Sequence, residues 1–352
     1  MNITFLIGNG FDLNLGLHTK YTDFIEEYTR ENPSDSPIIS NFKRDLLDDK
    51  KNNNFWSNAE LAIGQYSRVV AQSFGKNAAE IYCDLHDDFC EKLATYLESE
   101  QSRVNIDKLK SQFIQSFNKI ANGFTPVKGE EVASLVKKAG ADLYSLIIFN
   151  YTTIIDQLLV NNKKIGTHSY RYANGLVSFE DSIADFIHIH GTITNSMAFG
   201  VNDISQIAVP QIFEGYPSEL KSTFIKKDFN EMAEEGTFDK AQTILNKSDL
   251  IYIYGMSLGQ TDRIWWEQIC QLLKNRPRLR VVIHSIDMPD GRLIPRRRVT
   301  HENTHKDRLL AYAPAELEVD EDVLGRVYVT GFNIFESLTN QASNTLPKKK
   351  AV

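Results

Sequence analysis

The chain has 352 residues, 42% hydrophobic and 24% charged, a globular composition long enough for one large α/β domain with an insertion or for two domains. Its 39 basic and 46 acidic residues leave a net charge of −7, which argues against a protein that coats nucleic acid. The cysteines, Cys83, Cys90 and Cys270, form no C-x-x-C pair and no apolar run approaches the roughly 20 residues that cross a bilayer, so a reducing cytoplasm is expected, with no membrane partner.

The first predicted element is a buried strand, Ile3 to Ile7, which runs straight into Gly8-Asn9-Gly10-Phe11-Asp12. Gly8 and Gly10 carry no β-carbon and can take positive φ, so main-chain N–H groups there could approach the phosphates of a nucleotide. Leu13 stands where the third glycine of the dinucleotide fingerprint would fall. Tyr21, Phe24, Ile25 and Tyr28 then mark one face of a helix. Between residues 32 and 140 the periodicity is helical, over Trp56 to Gln72, Ala78 to Leu97 and Ile106 to Ile120, entered through the linker Asn32-Pro33-Ser34-Asp35-Ser36-Pro37. Apolar runs return at Leu146 to Phe149, Phe186 to Ile189, Leu250 to Tyr254 and Val281 to Ile283, with Val327 to Val329 as a candidate edge strand. Continuous apolarity implies strands buried on both faces, hence an α/β fold with a mostly parallel, Rossmann-like sheet flanked by helices. The expected organisation is a discontinuous nucleotide-binding core (1–31 and 141–340), a helical insertion (32–140) and a disordered tail (343–352).

Ligands of open parallel sheets lie beyond the carboxyl ends of the strands. There the chain places Asn150-Tyr151-Thr152-Thr153, then His188-Ile189-His190-Gly191-Thr192, then Gly255-Met256-Ser257-Leu258-Gly259-Gln260-Thr261-Asp262. Parallel neighbours would bring all three to the turn of Gly8 and Gly10.

Gly8-Asn9-Gly10-Phe11-Asp12-Leu13, followed by Gly16-Leu17 and Thr19-x-Tyr21-x-x-Phe24, resembles the opening signature of the AbiH family, bacterial proteins of abortive infection against phages. Trp56-x-x-x-Glu60, Phe149-Asn150-Tyr151-Thr152, His190-Gly191, Phe199-Gly200-Val201 and Tyr254-Gly255-x-Ser257-x-x-x-x-Asp262 fit its ordered blocks, so the likeness spans about residues 1 to 285. More distantly, the order of glycine turn, strand-end Asn, His-Gly and Gly-x-Ser is similar to the sirtuin-like fold that binds NAD. That likeness implies that Asn150 and His190 sit where the nicotinamide to ribose bond is broken. Two departures stand out: Asn9 and Asp12 replace the usual alanine and serine, and Thr152 stands where an aspartate often follows. The four-cysteine zinc module of deacetylating sirtuins is missing, which argues against deacetylation.

Cleaving an N-glycosidic bond develops positive charge on the ribose carbon, so a site must hold the ribose, exclude water and supply one activated nucleophile. His190 suits the base, Asn150 can place a hydroxyl or water, and Asp12 and Asp262 could take ribose hydroxyls. Gly8, Asn9, Gly10, Phe11, Thr152, Gly191, Gly255 and Ser257 would complete the nucleotide contacts. The expected function is hydrolysis of NAD to nicotinamide and ADP-ribose in antiphage defence, with no metal. The bland alternatives are a hydrogen-bonded strand-end histidine at His190, a structural His188, a core Trp56 beside a helix-surface Glu60, and Thr261 or Asp262 as a helix N-cap. Two rival functions stay open: a non-catalytic nucleotide-sensing or partner-binding module, with a second copy or a defence-system protein as its partner, and a nucleic-acid effector. The second rests on residues 274–308, where ten Lys or Arg face four Asp or Glu. Arg276, Arg278 and Arg280 are expected to lead into a strand, and Arg292 to Arg298 to lie on a loop after a Pro-Asp-Gly turn.

Overall fold

The computed structural model describes residues 1–30, 36–52, 59–124, 126–135, 140–216, 218–232, 236–289 and 294–343. Trp56, Arg292, residues 32–35 of the expected linker and the tail beyond 343 lie outside them. In chain order, β1 (Asn2–Ile7) is followed by α1 (Gly10–Asn14), α2 (Tyr21–Arg30), α3 (Pro37–Asn52), α4 (Ala59–Phe74), α5 (Ala78–Gln101), α6 (Ile106–Ser116) and α7 (Pro126–Leu135). Then come β2 (Leu143–Ile148), α8 (Ile154–Leu159), β3 (Lys164–Tyr172), β4 (Gly175–His188), α9 (Ser218–Phe224), α10 (Lys226–Met232) and α11 (Thr237–Lys247). The last third holds β5 (Leu250–Tyr254), α12 (Arg263–Asn275), β6 (Arg280–His284), α13 (Pro295–Leu310), α14 (Glu321–Gly325) and β7 (Val327–Thr330).

The strands form one seven-stranded sheet in the order β3-β4-β2-β1-β5-β6-β7. Every neighbouring pair is parallel except β3 with β4. Strand side chains alternate between faces, and both faces are covered. Phe5 and Ile7 of β1 join Phe113 of α6 and Leu158 of α8 in one core. Leu6 between them belongs to another, with Leu245 of α11 and Trp265 and Trp266 of α12. That two-sided burial is why these strands read as unbroken apolar runs.

The hairpin of β3 and β4 has no such signal. Leu176 is 61% exposed and Tyr170, Tyr172 and Val177 are also exposed, so the outer half of the hairpin is solvated. The expected strand Phe186 to Ile189 overlaps only the half-buried end of a strand that runs from Gly175 to His188. Asn174-Gly175 at the tip is the local hairpin cue.

Among the parallel strands the spatial order corresponds to third, second, first, fourth, fifth, sixth in the chain, so the winding reverses at β1. Such a reversal opens a crevice beyond the carboxyl ends of β1 and β5. A third core roofs that edge: Phe24 and Tyr28 of α2, Phe42 of α3, Tyr82 and Phe89 of α5, and Phe199 and Phe224 pack together. Tyr82 stacks on Phe224 at 4.2 Å, tying α5 to α9 across the sequence. Arg296, Arg297 and Arg298 are helical, in the first turn of α13 rather than on a loop, because Pro295 at the first helical position starts a helix without sacrificing a bond.

Candidate functional site

The cleft begins where two backbones cross. Gly8 N–H donates to the Tyr254 carbonyl and Gly10 N–H to the Gly255 carbonyl, each at 2.9 Å. A β-carbon on Gly10 would stand 2.3 Å from Gly255 Cα, and Gly255 itself sits at φ +68°. Glycine is therefore required at Gly10 and Gly255 for the β1 turn to pack on the exit of β5. The open phosphate cradle expected from Gly8 and Gly10 is accordingly corrected: those two N–H donors are already given to carbonyls. The Asn9 side chain is likewise engaged, donating to the Thr19 carbonyl at 2.7 Å and accepting from the Thr19 hydroxyl at 2.6 Å.

Below the crossing lies Asp12, 2% exposed. The Thr152 hydroxyl donates to its Oδ2 at 2.8 Å, while its Oδ1 has no hydrogen-bond partner. Burial lifts the Asp12 carboxyl to about 7, against the opposing influence of Thr152, the nearby Asn150 amide and His188. Asn150 is also buried, and neither its Oδ1 nor its Nδ2 makes a hydrogen bond of normal geometry. His188 holds the loop that carries Asn150: its Nδ1 meets the Asn150 carbonyl oxygen at 3.0 Å and its Nε2 meets Asp156 at 2.8 Å.

His190 faces a different carboxylate, with Nε2 3.1 Å from Asp262 Oδ1. Burial would raise the Asp262 carboxyl, yet Lys226 and His190 outweigh it and bring it down to about 2. An ionised Asp262 can only accept, so the His190 proton sits on Nε2 and Nδ1 keeps a free lone pair. That Nδ1 has no partner. Burial and the nearby Lys226 ammonium lower the His190 pKa from 6.5, with Asp262 opposing, so the ring is a neutral base at cellular pH. Asp262 is the N-cap residue of α12, one of the two positions expected for it, but its side chain makes no capping hydrogen bond and turns instead toward His190 and, at 3.7 Å, Lys226.

Lys226 and Glu60 are the residues the sequence reading missed. Glu60 is buried, not a surface charge; Lys226 Nζ donates to its Oε2 at 2.7 Å and the hydroxyls of Tyr21 and Tyr151 donate to its Oε1 at 3.1 and 3.0 Å. Burial disfavours the Lys226 ammonium, but Glu60 and Asp262 more than restore it. The signal available for Glu60 was its place in the family-like block with Trp56; nothing marked Lys226 within its polar helical stretch.

These residues line one cleft of about 760 Å³, together with Gly8, Gly10, Ser257 and Gly255. Leu258, between the lining residues Ser257 and Gly259, is held at φ +55°, a conformation costing about 1–3 kcal/mol in a non-glycine residue, and its carbonyl accepts from the Tyr312 hydroxyl at 3.0 Å. Two expected contacts fall elsewhere. Phe11 is fully buried against Phe335 and Phe113. Gly191, at φ +64°, makes a tight turn in which a β-carbon would meet the Ser196 carbonyl oxygen at 1.9 Å. The basic segment is partly neutralised within the chain, Arg276 by Asp249, Arg280 by Glu131 and Arg298 by Glu302. Among the described residues no helix is long and apolar enough to cross a membrane.

No curated protein matches the chain. The family model described as bacteriophage abortive infection AbiH matches residues 4–284, the stretch that contains most of β1, the glycine crossing and every cleft residue described above up to Asp262. On that match the chain belongs to the AbiH family of bacteriophage abortive infection.

Proposed function

We propose that the cleft binds NAD or a closely related dinucleotide and hydrolyses its nicotinamide to ribose bond, in a Rossmann-like, sirtuin-like core acting in the cytoplasm. One observation carries this reading. Four buried polar atoms, Asp12 Oδ1, Asn150 Oδ1 and Nδ2, and His190 Nδ1, lack hydrogen-bond partners and belong to residues lining the same cleft. Buried polar groups left unsatisfied in a fold are costly, and a polar ligand satisfies them. In the proposed step, His190 Nδ1 takes a proton from water placed by Asn150, the water oxygen bonds to the ribose C1′, and the C1′–N bond breaks with its electron pair going to nicotinamide, which leaves neutral. Asp262 keeps the imidazole oriented and stabilises the imidazolium that forms. Asp12 Oδ1 remains to meet a ribose hydroxyl.

The sensing-module reading retains one specific support: the Gly8 and Gly10 donors are occupied, so the pyrophosphate has fewer main-chain contacts than a phosphate loop provides. The deciding measurement is nicotinamide release from NAD by the full chain, compared with His190→Ala and Asn150→Ala. Wild-type turnover that falls about 10²- to 10⁴-fold in His190→Ala, with a wild-type rate that levels off below the ordinary imidazole value of 6.5, is the expected result. NAD binding without turnover shifts the assignment to a sensor, and absence of binding ends both readings.

A further inference from the structure

A second polar cluster lies outside the cleft, between α13 and the end of β6. His301-Glu302-Asn303-Thr304-His305 is an H-E-x-x-H run on a helix, the spacing that puts two imidazoles on one face. Their Nε2 atoms are 3.1 Å apart. Both also lie against the hydroxyl of Ser285, at 2.7 Å from His301 and 3.0 Å from His305. Ser285 is buried and pinned by its N–H, which donates to the Thr330 carbonyl at 2.9 Å.

Three mutual contacts of this length cannot all be well-directed hydrogen bonds. With one imidazole protonated at Nε2 and the other bare, the serine hydroxyl donates to the bare nitrogen and the single N–H is shared between the serine oxygen and that nitrogen, so two protons serve three contacts. A cation answers all three atoms at once. Ligands at about 2.1 Å and right angles around a five- or six-coordinate metal sit about 3.0 Å from one another, close to the 2.7, 3.0 and 3.1 Å edges of the triangle. Glu302 is not free to act as the general base that this motif supplies in metalloproteases, because Arg298 donates to it at 3.0 Å and Lys128 at 3.3 Å.

We propose that His301, His305 and Ser285 bind a divalent transition-metal ion of the imidazole-preferring kind, such as zinc, in a non-hydrolytic site that ties α13 to the end of β6. Water would fill the remaining positions. His284 and Ile286, on either side of Ser285, line the cleft, so the ion would stiffen one wall of it.

The test uses tag-free, chelator-stripped full chain titrated with Zn²⁺ by calorimetry and with Co²⁺ by visible absorption. A control is needed because Asp142, His168 and Asp181 also bring ligand atoms within 4.8 Å of one another. One saturable ion per chain, bound more than about tenfold more weakly by His301→Ala and by His305→Ala and unchanged by His168→Ala, is the expected outcome. Absence of saturable binding by the wild type, binding unchanged in the His301→Ala/His305→Ala double variant, or binding lost only with His168→Ala overturns the proposal. Should the variants misfold, Zn²⁺ protection of wild-type histidines from carbethoxylation, read by mass spectrometry, decides: protection of His301 and His305 supports the site, and its absence overturns it.

Discussion

The two ends of the sheet hold similar chemistry under opposite rules. At the amino end, His168 Nδ1 meets both oxygens of Asp181 at 2.9 and 3.0 Å, the Asp142 N–H donates to the same carboxylate at 2.9 Å, and the terminal ammonium faces Asp142 at 3.5 Å. At the carboxyl end, a histidine, an aspartate and an asparagine are equally buried yet leave four polar atoms without partners. The first cluster spends its polar groups on holding β2, β3 and β4 together. The second withholds them, which is costly for folding and useful only to something that enters the cleft.

Removing the shared carboxylate of the amino-end cluster should therefore have the largest effect on stability. Asp181→Ala leaves a buried histidine and a buried N–H without their acceptor and is expected to lower the unfolding free energy by about 3–5 kcal/mol in urea titration, with turnover per folded molecule unchanged. A loss of turnover at full stability would break the contrast. Asp12 sharpens it next. Its carboxyl is held up at about 7 in the folded chain, so the folded state keeps a proton that the unfolded state releases near 4; the stability this contributes is full below pH ~4 and is lost as pH rises through 7. Asp12→Asn, which cannot ionise, should flatten that decline, worth roughly 4 kcal/mol across the window, and a stability profile as steep as wild type would reassign the proton. Smallest is Asn150→Leu, which removes a carboxamide without a hydrogen bond of normal geometry, whose influence on the fold is to hold down the Asp12 carboxyl. Its unfolding free energy should move by less than about 1 kcal/mol, or rise, while nucleotide binding is lost; strong destabilisation would show that the fold uses the amide.

Much of the sheet was legible because burial on both faces writes itself as unbroken apolar runs, as in Leu250 to Tyr254, where every residue is buried. Strand β3 was not, because its residues alternate between partial burial and solvent and look like any polar segment. In the site, Asp12, Asn150, His190 and Asp262 were legible as polar residues just past strand ends, and the topology does bring them to one cleft. What Asp262 and Glu60 do there was not, since it depends on Lys226, a residue from a helix that only the tertiary fold delivers. Gly8 and Gly10 were noticed for a physical reason, absence of a β-carbon, but a neighbouring backbone claims that space at Gly10. The spacing of His301 and His305 was legible too; treating their segment as a charge run passes over it.

The roof over the strand ends has a temporal consequence. His190 is oriented by Asp262, and the charge on Asp262 is held by Lys226, which in turn is anchored by Glu60. These groups come from four separate parts of the chain, the last of them made some seventy residues after the histidine. A polypeptide still emerging from the ribosome, or one truncated before Asp262, carries the imidazole without the carboxylate that aims it, so unfinished copies lack the arrangement on which the proposed chemistry depends.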